Sequence, residues 1–306
     1  MAWLLDRQIR RELPPEWGGI VPTEAFIREA TRVIEEGEEK GVKLRMMGGL
    51  AILVHSGEYK VLASKLGRAG MGVARGQEFS DIDLITYGRF KKGVERLFSE
   101  LNYARRKATL STAASQRQIY YHPKGWFTVD VFYDKLLVAN HPLNFKGRLE
   151  LDYPTITPTD LLLEKVQMWE AFGQKDLKDC LILLRSHSMV EGDAKDAIDK
   201  KYIAKLLAGD WGLWYTATSN LKKIREFTIR IDELGKEAEI DPKVLTEEDR
   251  KIITGRVDEL LERVNEEPKT LKWRLRSKIG TKARWYEPVE RPDTVGGFGI
   301  WEAILK

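Results

Sequence analysis

Cysteine is almost missing: Cys180 is the only one in 306 residues. A single thiol excludes an internal disulfide and any cysteine-based zinc cluster. Its setting in "DCLILL" reads as a buried small hydrophobe rather than a nucleophile. Histidine is nearly as scarce, and His55, His122, His141 and His187 show no HExxH or comparable ligand spacing. Long apolar runs are also lacking, none approaching the roughly 20 residues of a membrane-spanning helix. The opening "MAWLLDRQIRRELPPEW" carries charges throughout and has no continuous apolar stretch of the signal-peptide kind. The expectation is a cytoplasmic protein with no membrane partner. A GxxxxGK[ST] phosphate loop is absent, and Gly70 and Gly72 in "GRAGMGVARG" have GxG spacing without completing GxGxxG.

Nor is there a strong excess of one charge. With 51 Lys+Arg against 47 Asp+Glu, the net charge of +4 does not by itself imply a nucleic-acid partner. Only local clustering can make that case. What the chain does have is a 42% hydrophobic fraction, enough to build real cores, and a length that suits two domains.

The apolar periodicity divides the sequence. "PTEAFIREATRVIEEGEEKG" predicts a helix with Thr23 as N-cap, a stripe of Phe26, Ile27, Ala30, Val33 and Ile34, and Gly41 at its end. "VKLRMMGG" predicts a short strand running into two glycines, and "LAILVH" a helix packed on a sheet. Residues 55–79 form a basic, glycine-rich insertion with a short helix around 59–66 and a mobile loop after it. "SDIDLITY" is the next strand, and "RFKKGVERLFSELNYARR" an amphipathic helix with Val94, Leu97, Phe98 and Leu101 inward. "RQIYYHPKGWFTVDVFY" has two β-rich arms around "HPKG", a hairpin signal. From Thr157, predicted to cap a helix with Pro158 and Asp160, the patterns are nearly all helical: 175–186, 197–208, 210–235 and 246–265. The last opens on a second capping box, Thr246 and Asp249. The expected architecture is α/β (α+β): an N-terminal extension over 1–20, a domain with a small mixed β-sheet over 21–156, and a helical domain over 157–306 with an irregular tail.

Asp81 and Asp83 stand one residue apart in "EFSDIDLITY", so on a strand both carboxylates point to one face. Gly48 and Gly49 lie between a strand and a helix, where a backbone can approach a phosphate and a helix N-terminus offers unpaired N–H groups. An ordinary tight turn explains them equally well. Asp130, between Val129 and Val131 on a predicted central strand, is costly unless paired or metal-bound. Three carboxylates on neighbouring strands can hold two Mg²⁺ ions, hard cations that prefer oxygen, or Mn²⁺ in their place. Two such metals suit an in-line displacement on a phosphate.

"MMGGLAI…FSDIDLI…FTVDVF" resembles the nucleotidyltransferase superfamily of the DNA polymerase β type, over roughly residues 42–135. The likeness continues into "TDLLLEKVQMWEAFGQKDLKDCLILL", which is similar to the helical motif of AbiEii-like nucleotidyltransferase toxins. Lys165, Lys175, Asp176 and Asp179 match that motif. The resemblance implies an enzyme that transfers a nucleoside monophosphate from an NTP to an acceptor, releasing pyrophosphate. It further implies that Gly48, Gly49 and Ser80 hold the nucleotide, that Asp81, Asp83 and Asp130 are the metal ligands and catalytic acids, and that Lys165 leans on the phosphates or base. The bottom-up alternative for Lys165 is a lysine snorkelling beside a core helix. The superfamily places its Asp-x-Asp soon after the glycines, whereas here the basic insertion intervenes.

"KWRLRSKIGTKARWYEP" carries Lys272, Arg274, Arg276, Lys278, Lys282 and Arg284 with no acid between them, interleaved with Trp273, Trp285 and Tyr286. Such a stripe can neutralise phosphates while aromatics stack on bases; alternatively it is the exposed end of a helix beside an acidic neighbour. Lys60, Lys65, Arg68 and Arg75 of the insertion can add to this surface or bind triphosphate. RNA, especially tRNA, is the leading acceptor, with an antitoxin protein as a further partner. A protein side chain or small molecule as acceptor, and an inactive nucleotide- or partner-binding scaffold, are the alternatives.

Overall fold

The computed structural model describes residues 12–66, 77–107, 117–137, 140–170, 172–192 and 194–288. The chain is of mixed α/β type and divides into two compact units. The first comprises Met1–Val54, Arg68–Leu137 and Leu143–Ile156; the second comprises His55–Gly67, Val138–Pro142 and Thr157–Lys306. The insertion's helix therefore groups with the second unit and not with the sheet that flanks it in sequence. Among the described residues, no helix is long and apolar enough to cross a membrane.

The first unit is built on a five-stranded mixed sheet. Its strands are β1 (Leu44–Met47), β2 (Asp81–Thr86), β3 (Ala104–Arg105), β4 (Arg117–Tyr121) and β5 (Thr128–Tyr133), in the order β1-β2-β5-β4-β3. Only β2 and β5 are parallel; the other neighbours are antiparallel. β4 and β5 form the hairpin that "HPKG" signals, closed by the His122 N–H donating to the Phe127 carbonyl at 3.0 Å. Helix α1 (Thr23–Glu39) buries Ala25, Phe26, Ala30, Val33 and Ile34. Thr23 is not its cap: Pro22 holds that position, and Thr23 is the first helical residue. The Thr23 hydroxyl instead donates to the Glu78 carboxylate just ahead of β2. Gly41 ends α1 at φ +70°, with its N–H on the Glu38 carbonyl and the Val42 N–H on the Gly37 carbonyl at 2.7 Å, the pattern of a left-handed glycine terminator. Helix α2 (Gly48–His55) starts on the two glycines themselves. Helix α4 (Lys91–Glu100) buries Val94, Leu97 and Phe98, while Leu101 ends half-buried just past it. A small β6 (Lys135–Leu136) and β7 (Leu143–Asn144) ladder completes the unit.

The second unit is helical. It contains α3 (Lys60–Lys65), α5 (Pro158–Val166), α6 (Gln174–Ser186), α7 (Lys200–Gly209), α8 (Trp211–Ile229), α9 (Ile231–Leu234), α10 (Glu247–Glu266) and α11 (Leu271–Ser277). α10 packs on α6, α7 and α8, burying Ile253, Val257, Leu260 and Val264. Both predicted N-caps form: Thr157 accepts from the Asp160 N–H at 3.2 Å, and at Thr246 the box is reciprocal, Thr246 accepting from the Asp249 N–H at 3.1 Å and Asp249 accepting the Thr246 N–H at 2.9 Å. α7 begins later than its periodicity predicts because Ile198–Asp199 forms strand β9 beside β8 (Met189–Val190), and the Asp199 carboxylate caps α7. The expected 210–235 helix is two, α8 and α9, divided at Arg230.

Candidate metal and nucleotide site

β2 sets the geometry. Asp81 and Asp83 alternate with Ile82 and Leu84, both fully buried, so the acids share the opposite face. The parallel register pairs Asp83 with Asp130 and Asp81 with Thr128. Directly paired residues project to one face, so Asp81, Asp83 and Asp130 stand together on one side of adjacent strands. Asp81 and Asp83 are half-buried, whereas Asp130 is only 7% exposed.

Three local contacts position the trio. The Ser80 hydroxyl donates to Asp81 Oδ1 at 2.9 Å. At the entry to β2, the Gln77 side chain accepts the Val21 N–H at 3.1 Å and fixes the strand to the start of α1. Gly48 lies against Asp83: a β-carbon there would sit 2.8 Å from Asp83 Oδ2, and its φ of +70° is the left-handed conformation that glycine adopts freely. This glycine is required on both counts. Gly49 follows as the second residue of α2, half-buried.

Arg117 is the residue that sequence reasoning missed. Its Nη1 donates to Asp130 Oδ2 at 2.8 Å, while its Nε is buried with no hydrogen-bond partner. The signal was present in the hairpin. Ile119 pairs with Asp130, so Arg117, two residues away on β4, falls on the same face as a diagonal neighbour. Burial pushes the Asp130 carboxyl up to about 7, Arg117 pulls it down, and the nearby Asp81 charge pushes it up again. An acid so raised is poised to exchange a proton near neutral pH.

The donor set fits divalent cations. Three carboxylates share one face and every donor atom is a hard oxygen, although their oxygens do not all lie within 4.8 Å of one another, and the bare Gly48 backbone comes close to a carboxylate oxygen of Asp83.

Lys165 belongs to the second unit. Its ammonium lies 3.1 Å from Asp179, which is fully buried, and 3.6 Å from Asp176. The lysine and the two acids of the helical motif thus converge on one another across α5 and α6. In the basic segment, the aromatic residues are docked rather than free. Trp273 packs edge-on against Trp214 at 5.0 Å, and Trp285 against Trp169 at 4.9 Å. Arg274 and Arg276 donate to backbone carbonyls, of Lys269 at 3.0 Å and of Gly280 at 2.7 Å respectively. Lys272, Lys278, Lys282 and Arg284 are exposed. Lys60 and Lys65 sit on α3, whereas Arg68, Gly70, Gly72 and Arg75 fall outside the described residues. Cys180 is fully buried, and burial pushes its thiol pKa up, away from nucleophilic use.

Comparison of the chain with protein-family models, curated proteins and solved structures finds no match.

Proposed function

We propose that this chain is a metal-dependent nucleotidyltransferase that moves a nucleoside monophosphate from an NTP to an acceptor hydroxyl. The single observation that carries the reading is the Asp83–Asp130 pairing across parallel strands, which puts Asp81, Asp83 and Asp130 on one face. The glycine-headed helix α2 beside them, contacting the same acid through Gly48, supports it.

Asp81, Asp83 and Asp130 would hold two Mg²⁺ ions, with Mn²⁺ as a substitute. When bound, these cations supply Lewis-acid neutralisation of the triphosphate and of the developing charge. The chain's own residues do the rest. The N-terminal turn of α2, which begins on Gly48 and Gly49, approaches the phosphate oxygens with its backbone and its positive dipole end. Ser80 keeps the Asp81 carboxylate in one orientation. Asp130, on the strand beside Asp83, accepts the acceptor's hydroxyl proton. The acceptor oxygen bonds to the α-phosphorus as the α–β phosphoanhydride bond breaks, and pyrophosphate leaves with that electron pair.

The test is a transfer assay with α-labelled NTPs and Mg²⁺, offering RNA, protein and small hydroxyl acceptors in parallel. Label is expected on one acceptor class, and Asp81→Ala is expected to abolish it. Absence of both NTP binding and transfer in the wild-type protein would refute the reading.

A further inference from the structure

The second unit contains a cavity of about 620 Å³ that the chemistry above does not use. It is built by the chain turning back after α11. Arg276 donates to the carbonyls of Gly280 and Ala283 at 2.7 and 2.8 Å and lays its guanidinium over Trp211 at 4.7 Å. The returning segment is then pinned. The Trp285 indole N–H donates to Thr216 at 3.1 Å, and the Glu287 N–H to the Asn140 carbonyl at 2.8 Å. The open space is lined by the aliphatic Leu275 and Ile279, the cations Lys272 and Arg284, and the acids Asp210 and Glu287.

Three features define the ligand. Lys272 and Arg284 are exposed on the wall of the space, two positive charges open to an anion. Leu275 and Ile279 are 56% and 49% exposed, which leaves apolar surface to be covered beside those charges. The volume lies within the range of about 300–1,000 Å³ that seats a nucleotide-sized ligand. Cations that neutralise phosphate, next to exposed apolar surface that accepts a flat base, are the requirements of single-stranded nucleic acid. A duplex keeps its base faces stacked and cannot offer them.

We infer that this cavity binds a nucleotide unit of single-stranded nucleic acid through Lys272 and Arg284, with Leu275 and Ile279 beneath the base. Binding stands independently of the transferase chemistry; the further role of this strand as acceptor rests on that reading.

The test uses the full chain and a short labelled RNA, with the same sequence as DNA, as duplex, and with inorganic polyphosphate as competitors. The single strand is expected to bind best, and the Lys272→Ala/Arg284→Ala variant, with its melting curve unchanged, to lose about tenfold or more in affinity at moderate salt. Its slope of log affinity on log salt is expected to fall by about 1.4, two phosphate contacts at roughly 0.7 each. Equal competition by duplex or polyphosphate overturns the inference, as does unchanged affinity in the variant. An acidic peptide that displaces the RNA and binds more tightly also overturns it, by assigning the cavity to a protein partner. Asp81→Ala is expected to bind the oligonucleotide like wild type. Oligonucleotide binding by a wild-type chain that neither binds NTP nor transfers label to any acceptor class would therefore remove the transferase reading and leave the cavity assignment. Transfer to RNA that the double variant leaves intact would do the reverse.

Discussion

At the scale of single residues, Gly48 and Asp130 carry the sharpest expectations. Gly48→Ala must place a methyl 2.8 Å from Asp83 Oδ2 on a backbone with φ +70°. The left-handed backbone and the displaced carboxylate together cost about 2 kcal/mol. A drop of that size in urea unfolding, with transfer activity lost, is the expected result; an unchanged midpoint would contradict the close approach. Asp130 binds its proton more tightly in the folded chain than at the ordinary 3.8, so its stabilising contribution is complete below about pH 4 and is lost as pH rises through about 7. Divalent cations bind the ionised form. The melting temperature in chelator should therefore fall between about pH 4 and pH 7, and Mg²⁺ should raise it more at the upper end. Asp130→Asn is expected to erase most of both effects, and differential scanning fluorimetry reads them directly. A Mg²⁺ effect that does not change with pH would count against Asp130 as a ligand.

Among elements, helices α5 and α6 hold the Lys165, Asp176 and Asp179 cluster. Asp179 is fully buried, and the lysine ammonium 3.1 Å away is a principal counter-charge. Removing one member of a buried pair costs about 3 kcal/mol because the remaining charge stays desolvated. Lys165→Ala is therefore expected to destabilise the protein by about that amount, with Lys165→Ala/Asp179→Asn recovering much of it. A lysine used only on the nucleotide would give lost activity with unchanged stability, so chemical denaturation of the two variants separates the roles. The resemblance grouped these residues and implied that Lys165 leans on the phosphates or base, with a snorkelling lysine as the alternative; the contact with Asp179 adds a structural role beside either. Alternation and periodicity cannot reveal which acid a long lysine side chain reaches from one helix to the next. Arg117 escaped notice for a related reason: its partner is fixed by hairpin register, which "HPKG" signals but does not define to the residue.

For the whole molecule, local patterns made most elements legible. Period-two alternation in "SDIDLITY" and "FTVDVF", the N-caps at Thr157 and Thr246, and the glycine end of α1 each depend on near neighbours only. Grouping of elements depends on tertiary packing, and there the sequence misleads. Residues 55–66 lie between β1 and β2 in sequence, yet α3 packs with α6 in the helical unit. There the Arg185 guanidinium donates to the Tyr59 hydroxyl at 2.8 Å and lies over its ring at 4.6 Å. Ala63 and Leu66 are 3% and 0% exposed. Cutting between residues 156 and 157 would strand this helix on the wrong fragment, baring apolar surface on both pieces. The isolated 21–156 fragment should bind a hydrophobic dye and lack the full chain's cooperative melt. Replacing its residues 55–76 with a short Gly/Ser linker should reduce dye binding, because the apolar helix is then gone. Cooperative melting of the unmodified fragment, without dye binding, would show that α3 does not need the helical unit to cover its apolar face.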